Sequence, residues 1–214
     1  MKIKLFKTGP IRTNTYLIWD EFSKEAAIID PAGKVSEITK CVKQNKLEVK
    51  YIINTHGHYD HILANKQFQD KLEAKVLIHR GEKEFLSNEV KSHASESGYE
   101  VGKTSPSRLL KQGDAVKVGD ITLEVIETPG HSKADISLYE PEEKILFSGD
   151  TLFHGCIGRT DLPESNPQKI KHSLKKLAKL PDETKVYPGH GWSTTIKREK
   201  KEGALKSLKT SQTL

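Results

Sequence analysis

The chain carries the run Thr55-His56-Gly57-His58-Tyr59-Asp60-His61 directly after an apolar, strand-like segment, Val49–Ile53. Three imidazoles and a carboxylate within six residues are ligand types that zinc and iron prefer in proteins. Side chains two residues apart on an extended segment point the same way, so His56 and His58 can share one metal ion. Asp60 and His61 follow where a helix is predicted to begin, and can face a second ion. The run therefore predicts a metal centre at the end of a strand.

Further ligand candidates stand at the ends of other strand-like segments. His131 and His190 each follow such a segment through a Pro-Gly pair, and Asp150 follows the run Leu146–Gly149. Proline or glycine ends the hydrogen-bonded ladder there, so the next side chain leaves the sheet edge. Taken alone, such a histidine is more often an ordinary core or surface residue, and such an aspartate a turn residue. Because the run at 55–61 is so dense in ligands, we predict that all three bind metal.

Periodicity along the chain predicts nine strands and three helices. Short alternating or continuous apolar runs mark the strands at Ile3–Lys7, Thr15–Trp19, Ala26–Ile29, Val49–Ile53, Val76–His79, Ile121–Ile126, Ile136–Tyr139, Lys144–Phe147 and Lys185–Tyr187. Apolar residues at helical spacing mark the helices, on Val35, Ile38 and Val42, on Ile62, Phe68 and Leu72, and on Ile170, Leu174 and Leu177. Asn166 and Pro167 supply an N-cap and a first turn for the third helix. The polar stretch 87–107 is predicted to be a long loop or lid.

The order of these elements favours one α/β domain. Several strands come first and then mix with helices, which indicates a mixed sheet covered by helices rather than a repeated βαβ unit. A chain of 214 residues has the size of one ordinary domain, and no stretch has the composition of a linker. We therefore expect a single domain over residues 1–214.

The motifs around the candidate ligands resemble those of the metallo-β-lactamase superfamily. They are, in order, THGHYDH at 55–61, TPGHS at 128–132, SGDTLF at 148–153 and YPGHG at 187–191. The segments NTYLI at 14–18 and IIDP at 28–31 look like the opening strands of that superfamily. The resemblance implies a four-layer αββα sandwich, in which two mixed β-sheets are flanked by helices and the metals lie at one edge of the sheets.

The same resemblance implies two divalent metal ions, zinc in the first place, with iron or manganese as alternatives. The ligands carry over by position: His56, His58 and His131 to the first ion, Asp60, His61 and His190 to the second, and Asp150 to both. Asp60 and Asp150 are the catalytic carboxylates in this assignment, together with a metal-bridging hydroxide. Such a centre supplies hydroxide near neutral pH and polarises a carbonyl, which predicts acyl hydrolysis.

Within the superfamily, the residues look closest to the short, single-domain glyoxalase II-like hydrolases. Asp150 stands at a position comparable to one where antibiotic-degrading members typically carry a cysteine, and His58 stands where flavodiiron oxygen reductases carry a glutamate. The segments 149–153, 155–163 and 193–199 look like those of glyoxalase II-like enzymes. The resemblance implies a dinuclear metallohydrolase that cleaves a thioester of the S-2-hydroxyacylglutathione type. A thioester suits this chemistry because a thiol, with a pKa of about 8.5, is a good leaving group.

Two departures leave the substrate open. Two-domain glyoxalase II enzymes carry a C-terminal helical domain that helps to hold glutathione, and we expect none here because only about two dozen residues follow His190. The run Gly158–Asp161 also resembles persulfide dioxygenases, which use one iron held by two histidines and an aspartate. A mononuclear iron persulfide dioxygenase is therefore the alternative function.

Several other residues are candidates for supporting roles. Arg159 suits a substrate carboxylate, with an ion pair to Asp161 as the equal alternative, and Phe153 and Tyr99 are candidates for the pocket lining. Asp30 is either the acceptor that orients a metal-binding histidine or a turn residue. Four histidines lack ligand spacing and are predicted to lie outside the site, His154 being the nearest to an exception: His79, His93, His154 and His172.

Charge and composition limit the expected partners. The formal charge is +6, but residues 193–214 carry +4 of it, so residues 1–192 are nearly neutral and a nucleic-acid-processing protein is the less favoured function. No apolar run approaches the roughly 18 residues of a membrane span, and the first ten residues lack the apolar run of a secretory signal. The two cysteines are too few for a disulfide framework. We expect a cytoplasmic enzyme with a small-molecule thioester substrate and no nucleic-acid or membrane partner; the oligomeric state is left open.

Overall fold

Two six-stranded β-sheets form the centre of the computed structural model, which describes residues 1–207. The first sheet has the order β1-β2-β3-β4-β5-β6, with strands at Lys2–Thr8, Thr13–Trp19, Glu25–Ile29, Glu48–Ile53, Lys75–His79 and Arg108–Leu110. The second has the order β12-β11-β10-β9-β8-β7, with β7 to β12 at Ala115–Val118, Ile121–Glu127, Ile136–Glu140, Ile145–Gly149, Lys185–Pro188 and Thr194–Thr195. Both sheets mix parallel and antiparallel pairs, as the sequence predicts.

Within residues 1–207, five helices accompany the sheets. They are α1 (Val35–Gln44), α2 (Tyr59–Ile62), α3 (Asn65–Leu72), α4 (Pro167–Leu177) and α5 (Ile196–Glu202), and a 3-10 helix covers Arg80–Leu86. Asn166 caps α4 as predicted, since its side chain accepts hydrogen bonds from the backbone NH groups of Gln168 and Lys169 at 3.0 and 2.9 Å. In the described residues, no helix is long and apolar enough to cross a membrane.

Alternate residues of the first sheet enter two different cores. In β2, Leu17 packs under the helices while Tyr16 and Ile18 face the second sheet, and in β5, Ile78 and Leu77 divide in the same way. This is the two-residue period of a strand that is buried on both faces. Each fully buried leucine or isoleucine side chain stabilises the fold by about 1.5–3 kcal/mol, so both faces of the sheet hold the sandwich together.

The helices complete four layers. Ile38 of α1 and Phe68 of α3 are buried against the outer face of the first sheet, and Ile170 and Leu174 of α4 and Ile196 of α5 are buried against the second. The core between the sheets contains Ile53, Leu123 and Phe147, among others. The αββα sandwich expected from the sequence is thus confirmed.

The structure differs from the sequence prediction at several elements. The strands β6, β7 and β12 were absent from the prediction, and they are only two to four residues long. The helix predicted on Ile62, Phe68 and Leu72 is divided into α2 and α3 around Ala64, whose backbone NH donates to the carbonyl of Pro31. The stretch 87–107 contains no strand or helix, in agreement with the predicted loop.

Candidate metal centre

The candidate ligands come from the ends of four strands. His56 and His58 follow β4, and Asp60 and His61 lie in the short helix α2 that begins directly after them. His131, Asp150 and His190 follow β8, β10 and β11. Because β9 is antiparallel to both β8 and β10, and β11 is parallel to β10, these three strands end at the same edge of the second sheet. All seven predicted ligands meet at that edge.

Three histidines form a first group. The ligand atoms of His56, His58 and His131 lie within 4.8 Å of one another, and all three residues are buried. The Nδ1 atom of His58 is 3.0 Å from the Nε2 atom of His131. Ligand atoms about 2.1 Å from one tetrahedral zinc ion are separated by roughly 3.4 Å, so this spacing suits a shared ion.

Asp60, His61 and His190 form a second group with similar spacing. His190 Nε2 lies 3.1 Å from Asp60 Oδ2 and 3.3 Å from His61 Nε2. Asp150 stands between the two groups: its Oδ1 is 3.4 Å from His61 Nε2, and its Oδ2 is 3.6 Å from His131 Nε2. This is the position that the sequence predicts for a carboxylate that bridges two ions.

The donor set fits divalent cations. His56 Nε2 and Asp150 Oδ1 are buried and have no hydrogen-bond partner among the described residues. Unpartnered buried donors or acceptors are costly in a folded protein unless something else satisfies them. Imidazole nitrogens and carboxylate oxygens in this number suit zinc, iron or manganese. The role of the seven residues as ligands remains a prediction that their geometry favours.

Charge at the centre also favours cations. Burial lowers the pKa of His56 well below its usual value and that of His131 to about 4, which leaves their lone pairs free. Burial alone would also lower the pKa of His61, but three carboxylates raise it well above the usual value, those of Asp60, Asp150 and Asp30. Burial opposes ionisation of Asp60, yet the charge of His61 lowers the Asp60 pKa well below its usual range. The centre therefore keeps its acids ionised, as a cation site requires.

Polar contacts behind the centre hold the rings: an ion-pair contact at His61, without hydrogen-bond geometry, and a hydrogen bond at His131. Asp30 accepts from the backbone NH and the hydroxyl of Thr55, both at 2.7 Å, and its Oδ2 lies 3.0 Å from His61 Nδ1. Its orienting role is thereby favoured over that of a simple turn residue. The Nδ1 atom of His131 lies 3.0 Å from the carbonyl oxygen of Arg159. With the outer nitrogen occupied, each ring presents its other nitrogen to the centre.

Gly189 lets two of these groups approach each other. A Cβ atom at this position would lie 2.1 Å from Asp150 Oδ1 and 2.7 Å from His61 Cε1, so any larger residue would displace one of them. The Pro-Gly pair before His190 therefore provides space at the centre in addition to ending β11.

Glu164 is a residue that the sequence interpretation missed. Its Oε1 lies 2.7 Å from His58 Nε2 and 2.8 Å from His93 Nε2. These histidines hold the pKa of the Glu164 carboxyl at about 2, against the effect of its partial burial. His93 was predicted to lie outside the site, and this prediction is corrected: the loop 87–107 brings it to the partner of a candidate ligand. No local spacing signals this, since Glu164 is 106 residues from His58.

A cavity of about 570 Å³ opens beside the centre. Five of the seven candidate ligands contribute to its wall, together with Phe153 and Arg159: His58, Asp60, His131, Asp150 and His190. Arg159 forms the ion pair with Asp161 that was the alternative, at 2.8 and 2.7 Å. Tyr99 does not line this cavity; its ring stacks on that of Tyr59, which does. The substrate-binding roles of Arg159, Phe153 and Tyr99 remain predictions.

Neither cysteine provides a nucleophile. Cys41 is buried in the helix-covered core, and Cys156 is exposed, with a pKa that burial and the charge of Glu199 raise. A thiol whose pKa is raised is a poor nucleophile at neutral pH. The chemistry of the cavity therefore depends on the His/Asp cluster.

The sequence profile of the metallo-beta-lactamase superfamily matches residues 8–190. The chain belongs to the metallo-beta-lactamase superfamily. It is 32% identical over 213 residues to the hydroxyacylglutathione hydrolase GloC of Haemophilus influenzae, covering 98% of this chain and 100% of that one. It is 35% identical over 202 residues to the probable metallo-hydrolase YqgX of Bacillus subtilis, covering 93% and 94% of the two chains.

Solved structures of this superfamily match the fold closely. The B3 metallo-beta-lactamase BLEG-1 has a TM-score of 0.90 and 34% identity, over 95% of this chain and 99% of that one. TTHA1623, in a di-iron-bound form, has a TM-score of 0.85 and 32% identity, over 94% and 99%. ETHE1 from Myxococcus xanthus has a TM-score of 0.79 and 30% identity, over 94% and 83%. With the His/Asp clusters, these similarities indicate a metallo-hydrolase that uses divalent metals.

Proposed function

We propose that this metallo-hydrolase cleaves thioesters of the S-2-hydroxyacylglutathione type at a dinuclear centre. Zinc is the metal that we propose for both sites, with iron or manganese as alternatives. The observation that carries the proposal is the complete set of seven donors, in two groups with Asp150 between them, five of which line the cavity. The similarity to the hydroxyacylglutathione hydrolase GloC supports the acyl and thiol class. The di-iron form of TTHA1623 supports iron as the alternative metal.

Bound divalent ions would supply hydroxide near neutral pH and polarise the thioester carbonyl. The residues of the chain do the rest. One ion would be held by His56, His58 and His131, and the other by Asp60, His61 and His190. Asp150, which lies between the two groups, would help to hold both. The ionised Asp60 and Asp150 keep the net charge of the centre low enough for a leaving thiolate to depart.

The polar contacts behind the centre support the same chemistry. Asp30 fixes the ring of His61, and Glu164 fixes the ring of His58, so the ligands need no rearrangement when charge develops on the substrate. Phe153, whose ring centroid is 6.2 Å from that of His190, gives the cavity an apolar wall that would shield the reacting carbonyl from bulk water.

A persulfide dioxygenase is the second candidate. The run Gly158–Asp161 and the structural similarity to ETHE1 favour it. A mononuclear centre would need only part of the donor set, whereas Asp60, His61 and His190 here form a full second group. We therefore prefer the dinuclear hydrolase.

The basic side chains near the C-terminus bear on possible nucleic-acid and membrane partners. Several basic side chains near the C-terminus pair with acids, including Lys200 with Asp182 and Arg198 with Glu199. Because these charges are partly neutralised and follow His190, we propose that the chain does not bind nucleic acid or membranes. Two free thiols suit a reducing compartment, so we propose the cytoplasm.

A substrate panel tests the proposal. Protein loaded with zinc, and separately with iron, is assayed for thiol release from S-lactoylglutathione, oxygen uptake with glutathione persulfide, and hydrolysis of a chromogenic β-lactam. Thiol release with bound metal is the expected result. Oxygen uptake by protein with one iron and no thiol release would establish the second candidate, and β-lactam hydrolysis alone would refute both.

A further inference from the structure

A second groove adjoins the metal cavity and has no role in the proposed chemistry. It has a volume of about 570 Å³ and lies between the β1–β2 hairpin and the loop that follows His190. Ile11 and His190 line both spaces, so the groove continues from the metal centre.

The groove is cationic. Lys7 and Arg12 line it, and no aspartate or glutamate does. Burial and the charge of Arg12 lower the pKa of Lys7, which shows that the two cations affect each other. In the described residues, the Arg12 side chain makes no hydrogen bond or ion pair. The backbone of Arg12 lies in the left-handed region (φ 62°), which is rare for residues other than glycine. Two neighbouring cations repel each other when no acid lies near them. An anion that binds between them removes this repulsion and accepts charge-assisted hydrogen bonds.

The walls of the groove are fixed in place. Lys7 Nζ donates to the carbonyl of Gly191 at 2.8 Å. Asn14 Nδ2 donates to the carbonyls of Pro188 and Gly191 at 2.8 and 3.2 Å, which ties the hairpin to the loop. The indole of Trp192, 81% exposed, stands on the same wall and offers a flat face to a ligand. Trp192 therefore adds an exposed aromatic face to a groove whose cations no lining acid neutralises.

We propose that this groove binds the thiol half of the substrate, and that this half carries an anion, so that Lys7 and Arg12 select thioesters of anionic thiols. The inference rests on the proposed function and extends it to a groove that Arg159 does not line. Charge complementarity and continuity with the cavity identify the occupant. Carboxylates of a peptide thiol and phosphates of a nucleotide thiol share the required charge, and Trp192 distinguishes them, since only the nucleotide has a base to stack on it.

The test compares one acyl group on three thiols: lactoyl thioesters of glutathione, of coenzyme A and of the neutral N-acetylcysteamine. Arg12→Gln is expected to lower kcat/KM for the preferred anionic thioester by about tenfold, the effect of one charge-assisted contact, and that for the neutral one far less. Arg80→Gln, which removes an exposed arginine outside both spaces, is the matched control and should leave both values unchanged. Trp192→Ala should raise KM for the coenzyme A thioester if a nucleotide thiol is the substrate, and should spare all three if a peptide thiol is.

A binding measurement separates the inference from the proposed function. Binding of S-methylglutathione or S-methyl-coenzyme A, measured by isothermal titration calorimetry, should weaken about tenfold in Arg12→Gln and with rising salt. If the wild type and Arg12→Gln hydrolyse the three thioesters with the same relative kcat/KM values, the groove does not select the thiol. That result would overturn the inference and leave the proposed function intact. If none of the thioesters is cleaved, the proposed function fails, and undiminished binding by Arg12→Gln would overturn the groove as well.

Discussion

Both ring nitrogens of His58 have a partner at the centre. Nδ1 faces His131, while Nε2 contacts Glu164. We predict that His58→Ala abolishes turnover and reduces bound metal from two ions per chain to about one, with little change in the circular dichroism spectrum. Metal analysis after gel filtration measures the loss. Full metal content with normal turnover would contradict the assignment of His58.

Glu164 is expected to act through His58 and is a positioning residue. We predict that Glu164→Gln weakens metal binding at the first group by about tenfold, the usual effect of losing such a carboxylate partner. A competition titration with a chelator measures this affinity without any substrate.

Glu96→Gln is the matched control for Glu164. Among the described residues, Glu96 contacts His93 Nδ1 at 3.3 Å and forms no hydrogen bond or ion pair with His58. If both variants weakened metal binding equally, the effect would belong to the loop 87–107, and the positioning role of Glu164 would be wrong.

At the scale of elements, the cap of α4 connects a helix to the His131 turn. The side chain of Asn166 caps α4, and its backbone NH donates to the carbonyl of Gly130 at 2.9 Å. We predict that Asn166→Ala lowers the free energy of unfolding by about 1 kcal/mol, while Asn166→Asp, which keeps a capping oxygen, loses much less. Chemical denaturation measures both. Equal losses would show that the amide acts by something other than capping.

In the turn after β2, the carboxylate of Asp20 accepts hydrogen bonds that make fold stability depend on pH. The backbone NH of Phe22 and the hydroxyl of Ser23 hold the pKa of Asp20 at about 2. A carboxyl group with a depressed pKa contributes stability that is fully present above its unfolded pKa of about 3.9 and is lost as the pH falls towards 2.

We therefore predict that Asp20→Asn lowers the Tm at pH 7 and that the difference from the wild type shrinks between pH 4 and pH 2. Asp70→Asn, which removes an exposed helix ion pair with Lys66, is the control and should change the Tm little at either pH. A constant difference for Asp20→Asn across this range would contradict the role of its charge.

Across the whole molecule, the sequence predicts those parts that local patterns encode. The seven donors follow strand ends in short motifs, so their types and positions were evident without coordinates. The buried strands were also recognisable, because each has an apolar run long enough to show a period. Edge strands such as Arg108–Leu110 and Thr194–Thr195 were not, since they become strands only by pairing with a neighbour.

Contacts between distant segments account for the rest. Glu164 meets His93 across 71 residues, and Lys7 meets Gly191 across 184, and neither pair has a local signal. Ala64 interrupts a regular helical pattern because of its hydrogen bond to Pro31. The sequence therefore predicts the chemistry of the centre from residue type, whereas the surroundings that choose the substrate depend on tertiary structure.

The proposed chemistry depends on two metal ions held by these seven residues. Anomalous diffraction at the zinc absorption edge, from crystals of zinc-loaded protein, tests it most directly. We predict two peaks, one about 2.1 Å from the nitrogens of His56, His58 and His131, the other at similar distances from Asp60, His61 and His190, with Asp150 between them. A single peak at full zinc loading, or peaks away from these side chains, would contradict the account.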